Sequence, residues 1–352
     1  MTRREWISGM ANALVINPTT VAQVTARQLS DAPGVVQTVT GPIPVARLGL
    51  TLMHEHVLVD FIGADRVSPQ RYDANHVFTT VLPHLLQARQ HGCTTLVECT
   101  PAYLGRDVTL LKRLSEASGL NILSNTGYYG AANDKHLPPF AFTESADQLA
   151  ARWTREVEQG IDGTSIKPAF MKIGVDAVAP GSSNPGQAPL SDVDRKLVRA
   201  AATTSRATGL SIASHTGSGL AAMAEIEVLD GAGIPASRFI WVHAQSERDA
   251  AFHSRAAKAG AWVEFDGISD SSIARHVELV VQMKTQGLLG RVLLSHDAGW
   301  YHVGEPAGGQ FRPFDTLFTK FIPALREAGV TSADVTRLLV DNPRQALTGG
   351  PY

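Results

Sequence analysis

From about residue 44 onward, short runs of apolar and β-branched residues alternate with stretches whose apolar positions recur every three or four residues. The runs are LTLMHEHVLV (50–59), TTLVECT (94–100), NILSNTG (121–127) and FMKIGV (170–175). They continue as LSIASHT (210–216), FIWVHA (239–244), AWVEFDG (261–267) and VLLSHDAG (292–299). Each has the length of a strand and is too continuously apolar to leave one face in water, as in a parallel sheet covered on both sides. Between the runs the period is helical. Within 192–209, Val193, Leu197, Val198, Ala201 and Thr204 share a face while Arg195, Lys196 and Arg199 turn outward. Gly92, Gly119, Gly209 and Gly260 stand where helices should stop before the next strand. Eight strand–helix units predict an α/β fold, a (β/α)8 TIM barrel. An open doubly wound sheet is the competing architecture, but no GxGxxG follows the first strand and no P-loop occurs.

Two longer connections interrupt the alternation, at 176–190 after the fourth strand and at 299–315 after the eighth. Both follow strand C-termini, where barrels carry their substrate loops. The second is glycine-rich and holds Trp300, Tyr301 and Phe311, which would line a pocket or else pack as surface loop.

Composition changes this picture little. The 352 residues are 44% hydrophobic, ample for a large core, and the net charge of −2 offers no field for nucleic acid or an anionic membrane. No stretch reaches the roughly 18–20 apolar residues needed to span a bilayer. Cys93 and Cys99 read as small buried hydrophobes, since two cysteines are too few to staple such a chain. The first 26 residues differ from the rest: Arg3-Arg4, a mildly apolar run and Val24-Thr25-Ala26 resemble a twin-arginine export signal. That reading places the protein in the periplasm, with a frayed cytoplasmic N-terminus as the alternative. Residues 27–43 then form an extension, and 44–349 a single TIM-barrel domain.

Chemistry enters with His54-Glu55-His56. In a strand, positions i and i+2 share a face, so both histidines point to the barrel axis and Glu55 points away. By itself HxH is either a ligand pair or a polar core pair. Three more strands, however, end in ligand-type residues at the same rim: His215, His243 and Asp297. Four imidazoles and a carboxylate exceed what one tetrahedral ion needs, which points to two divalent metals, zinc first, with iron, cobalt or manganese as alternatives. Lys172 lies inside the fourth strand. Burying an ammonium is costly, and a neutral amine can take up carbon dioxide to become a bridging carbamate. A lysine reaching the rim, or paired with Asp176, is the plainer alternative.

HEH on the first strand, lysine on the fourth, histidines on the fifth and sixth and aspartate on the eighth resemble the phosphotriesterase-like branch of the amidohydrolase superfamily. The likeness extends to LGRD (104–107), SNTGYYG (124–130), KIGVD (172–176), SHTG (214–217) and NPRQAL (342–347). It implies that His54, His56 and Asp297 hold the more buried ion, that His215 and His243 hold the exposed one, and that carbamylated Lys172 bridges both. It implies further that Asp297 is catalytic, taking a proton from the attacking water, and that Tyr129 stands at the substrate pocket beside Trp300 and Tyr301. The expected reaction is hydrolysis of a lactone or other carboxylic ester, with side activity on organophosphate triesters. An amidase acting on N-acyl compounds is the alternative, and a receptor-like barrel without catalysis would be free to lose Asp297. A small molecule is the expected partner, and barrels of this type commonly form homodimers. Two departures stand out: Ser246, followed by Glu247, occupies the usual acidic relay position, and Asp266-Gly267-Ile268 stands where lactonase members carry an Arg-Tyr pair.

Overall fold

The computed structural model describes residues 34–176 and 189–348. The export-signal reading of 1–26 and most of the 176–190 connection lie outside the described residues. Among those described, no helix is long and apolar enough to cross a membrane.

Eight parallel strands follow the predicted order. They are β1 (Thr51–Val59), β2 (Thr95–Glu98), β3 (Asn121–Leu123 and Asn125–Thr126) and β4 (Phe170–Gly174). Then come β5 (Ile212–His215), β6 (Phe239–Val242), β7 (Trp262–Phe265) and β8 (Val292–Leu294 and Ala298–His302). Each half of the two interrupted strands pairs with a different neighbour. In β3 the first half meets β2 and the second meets β4; in β8 the first half meets β7 and the second returns to β1. The order therefore runs round a ring. Inside it, every strand contributes to a single apolar cluster: Met53, Val97, Leu123, Phe170, Ala213, Ile240 with Val242, Trp262 and Leu293. A hairpin (Val35–Thr38 with Gly41–Pro44), the helical turn Val45–Leu48 and the C-terminal helix close the lower end, adding Val36, Val45, Leu48, Ala346 and Leu347.

The helices end where the glycines predict. The helix Asp192–Thr208 starts on a Ser191 capping box and stops at Gly209 in the left-handed conformation. Gly119 and Gly260 do the same for Val108–Ser118 and Ala250–Ala259. One expectation needs correction. The 299–315 segment is not loop from its start, because β8 resumes at Ala298 and pairs with β1 as far as His302. Trp300 and Tyr301 are thus strand neighbours pointing to opposite faces.

Above the apolar floor, the inward register places chemistry on the axis. Two residues beyond Phe170 and Ala213 come Lys172 and His215. In β1 a register shift between Leu52 and Glu55 resets the alternation. Met53 serves the floor, His54 and His56 face the axis, and Glu55 turns outward to β8. There the Glu55 carboxylate accepts from the Ser295 hydroxyl (2.8 Å), His296 Nδ1 (2.6 Å) and the Ala298 amide (2.9 Å). Burial alone would raise its pKa, but His296 and these donors hold it below the usual value. The outward partner of the HEH motif is therefore the clamp that fastens β8 to β1.

Candidate metal centre

The β1 histidines and Asp297 converge. His54 Nε2 and His56 Nε2 are 3.2 Å apart, and Asp297 Oδ1 lies 3.1 Å from His56 Nε2 and 3.8 Å from His54 Nε2. For a zinc–nitrogen bond of 2.0–2.1 Å, two tetrahedral ligands stand about 3.3 Å apart, so these separations are the edges of a coordination shell. Asp297 Oδ1 is buried and has no hydrogen-bond partner among the described residues. These donors fit a divalent ion.

Their protonation states fit as well. Desolvation lowers the pKa of His54 to about 4 and of His56 to about 3, the latter helped by the charge of Lys172, and that of His215 well below its ordinary value. Near neutral pH all three are unprotonated, as ligands must be. Burial raises Asp297 to about 6.

Asp266, just past β7, fixes the tautomers. His54 Nδ1 donates to its Oδ2 (3.0 Å) and His243 Nδ1 to its Oδ1 (2.7 Å). Gln245 also donates to Oδ1, and its carbonyl accepts the Asp266 amide. Burial would push this carboxyl up, yet the two histidines hold it well below the usual range. His54, His243 and Asp266 also form a compact donor group of their own. Both contacts have hydrogen-bond length, so Asp266 orients the rings and leaves their Nε2 atoms free. His56 Nδ1 is held in the same way by the Thr100 hydroxyl at 2.8 Å.

The remaining candidates complete the rim. His215 and His243 have ring centroids 4.4 Å apart, and His243 lies 5.0 Å from His54. Lys172 is buried, its Nζ 6.0 Å from the Tyr129 ring centroid. Asp176 accepts instead from the Ala132 and Asn133 amides, both at 2.7 Å, closing the loop after β3. The Tyr129 hydroxyl lies 3.1 Å from His215 Nδ1, and its ring packs where a Cβ on Gly174 would stand. Trp300 covers the other side, 4.3 Å from the His56 ring and 5.5 Å from Phe61. Tyr301 is not brought to the site. Its hydroxyl bonds His76 on the helix Ala74–Gln90, and only 7% of the residue is exposed. His243, Asp297 and Trp300 all have left-handed backbones (φ 63°, 52° and 72°), strain held where donors must be aimed.

Sequence reasoning missed Asp266, Gln245 and Thr100 as supporting residues. Asp266 had a usable signal, being the polar end of an inward row on β7 (Trp262, Glu264, Asp266). Next to the relay position held by Ser246, Glu247 accepts from the Gly219 and Asp249 amides and so fastens loops together. Asp266→Asn should weaken metal binding by about 10–100-fold, because one oxygen then serves two imidazoles. Competition with a chelating dye reads this directly, and an unchanged dissociation constant would leave Asp266 a packing residue.

An eight-stranded barrel with these donors at its C-terminal rim is a metal-dependent hydrolase. The chain belongs to the phosphotriesterase family, whose model matches residues 34–347. It is 29% identical to the phosphotriesterase homology protein of Escherichia coli, over 84% of this chain and 97% of that protein. It is 25% identical to the N-acetyltaurine hydrolase of Tetraodon nigroviridis, over 91% and 99%. Among solved structures, a mutant of organophosphorus hydrolase from Deinococcus radiodurans superposes with a TM-score of 0.78 at 27% identity, covering 90% of this chain and 98% of that one.

Proposed function

We propose that the protein hydrolyses a carboxylic ester or lactone at a two-ion centre. The observation that carries this reading is the convergence of His54 Nε2, His56 Nε2 and Asp297 Oδ1 beside His215, His243 and Lys172. His54, His56 and Asp297 would hold the buried ion and His215 and His243 the outer one. Lys172 would carry the bridge: its ammonium would first give up a proton, and the amine would then add to carbon dioxide, forming an N–C bond and releasing a second proton. Two divalent ions there would supply an activated water and a Lewis acid for the substrate oxygen. Asp297 would accept the water's proton, a role open to a carboxylate whose buried Oδ1 has no hydrogen-bond partner among the described residues. Tyr129 and Trp300, on opposite sides of the donors, would bound the substrate. Amide hydrolysis of N-acyl compounds is the second reading, favoured by the similarity to an N-acetyltaurine hydrolase, and triester cleavage would be a side activity. The Arg3-Arg4 segment supports a periplasmic location.

The test is a panel of aryl esters, lactones, N-acyl amino acids and organophosphate triesters, run with metal-loaded and chelator-treated protein. Turnover of a carboxyl derivative is expected only in the loaded form. Activity confined to triesters, or indifferent to chelation, would contradict the reading.

A further inference from the structure

Three of the four imidazoles are aimed through their rings: Nδ1 of His54 and of His243 meets Asp266, and Nδ1 of His56 meets Thr100. His215 differs. Its ring meets the Tyr129 hydroxyl, which lies 3.1 Å from Nδ1 and 3.3 Å from Nε2 and so selects neither nitrogen. The firmer support comes from the residues on either side of it. Ser214 and Thr216 turn away from the axis towards the helix Gly219–Gly231. There both hydroxyls meet one carboxyl, that of Glu225: Ser214 Oγ lies 2.5 Å from Oε1 and Thr216 Oγ1 lies 2.6 Å from Oε2. All three side chains are buried. Thr216 is tied further, its amide donating to the Val242 carbonyl at 3.2 Å and its carbonyl accepting from Trp241 Nε1 at 2.7 Å.

Glu225 is a costly residue for that helix. Its neighbours Ala221, Ala222, Ile226 and Leu229 are apolar and buried, and burial pushes the carboxyl up to about 8 against the pull of the two hydroxyls. A leucine facing alanine and valine would fill the same layer without burying a polar group. What the polar triad adds is direction, because the two oxygens of one carboxyl fix the two residues that bracket a metal donor. These ties do not depend on where the proton lies, since a hydroxyl can donate or accept.

We infer that Glu225 is a positioning residue for the outer ion, holding His215 in aim through Ser214 and Thr216. The inference rests on the two-ion reading above and deepens it.

Zinc titration against a chelating dye reads the two ions separately. Glu225→Leu should weaken the outer ion about 10–100-fold, the usual effect of removing a ligand's support, and leave the inner ion unchanged. Glu225→Gln can keep both ties and should stay near wild type. Glu225→Leu also strands two buried hydroxyls, so Ser214→Ala, Thr216→Val and Glu225→Leu combined separate aim from folding. The triple variant should melt at or above the wild-type temperature and still show the weakened outer ion. A triple variant that melts normally and binds both ions as wild type does, or weakens both equally, would overturn the clamp. If wild-type protein takes up a single ion, the two-ion reading fails, and a crystal structure of the metal-free triple variant decides the clamp. A His215 ring displaced from the Tyr129 hydroxyl upholds it; a ring still in place overturns it.

Discussion

Asp297→Asn should keep the fold and much of the metal while losing about 10²–10⁴ in kcat, the usual contribution of a positioned general base. That corresponds to about 3–5 kcal/mol of barrier. The amide retains the shape and one oxygen of the residue that lies 3.1 Å from His56 Nε2, but it offers no basic site. The neighbouring residue provides the control. His296 points to the opposite side of β8, donating from Nδ1 to Glu55 and accepting the Leu317 amide at Nε2. His296→Asn should leave kcat near the wild-type value and lower stability, because it disturbs a buried pair whose rupture costs about 3–5 kcal/mol. Steady-state kinetics and denaturant unfolding on both variants check this. Loss of turnover in His296→Asn with retention in Asp297→Asn would reverse the register of β8.

The second large effect belongs to Lys172. Lys172→Ala should hold one ion in place of two and lose most activity, since nothing else inward on β4 can bridge: the neighbouring inward positions are Phe170 and Gly174. Short carboxylates such as formate or acetate should restore part of the rate by standing in for the missing anion. Metal analysis and rescue kinetics give the readout. A fully metallated, fully active variant would dismiss the bridge.

Much of this was legible in the chain because barrel strands encode two things at once. Continuous apolar runs mark burial on both faces, and the residue at each strand's end marks the rim. His215, His243 and Asp297 were visible in this way, as was the contrast between His54 and Glu55. The legibility of that contrast was partly fortunate. Simple alternation from the inward Met53 would have turned Glu55 toward the axis, and only the register shift in β1 prevents it. Tyr301 failed for a related reason. Glycines after Asp297 suggested a loop, whereas pairing with β1 extends the strand and sends alternate aromatics to opposite faces. Asp266 was read as a departure from a known pocket, and its role emerges only when β6 and β7 bring His243 to it across 23 positions.

Anomalous diffraction from crystals of the zinc-loaded protein tests the central claim most directly. Two peaks are expected inside the barrel mouth, one bonded to His54 Nε2, His56 Nε2 and Asp297, the other to His215 and His243, with density continuous from Lys172 between them. A single peak held by His54, His243 and Asp266, with Lys172 unmodified, would contradict the two-ion centre.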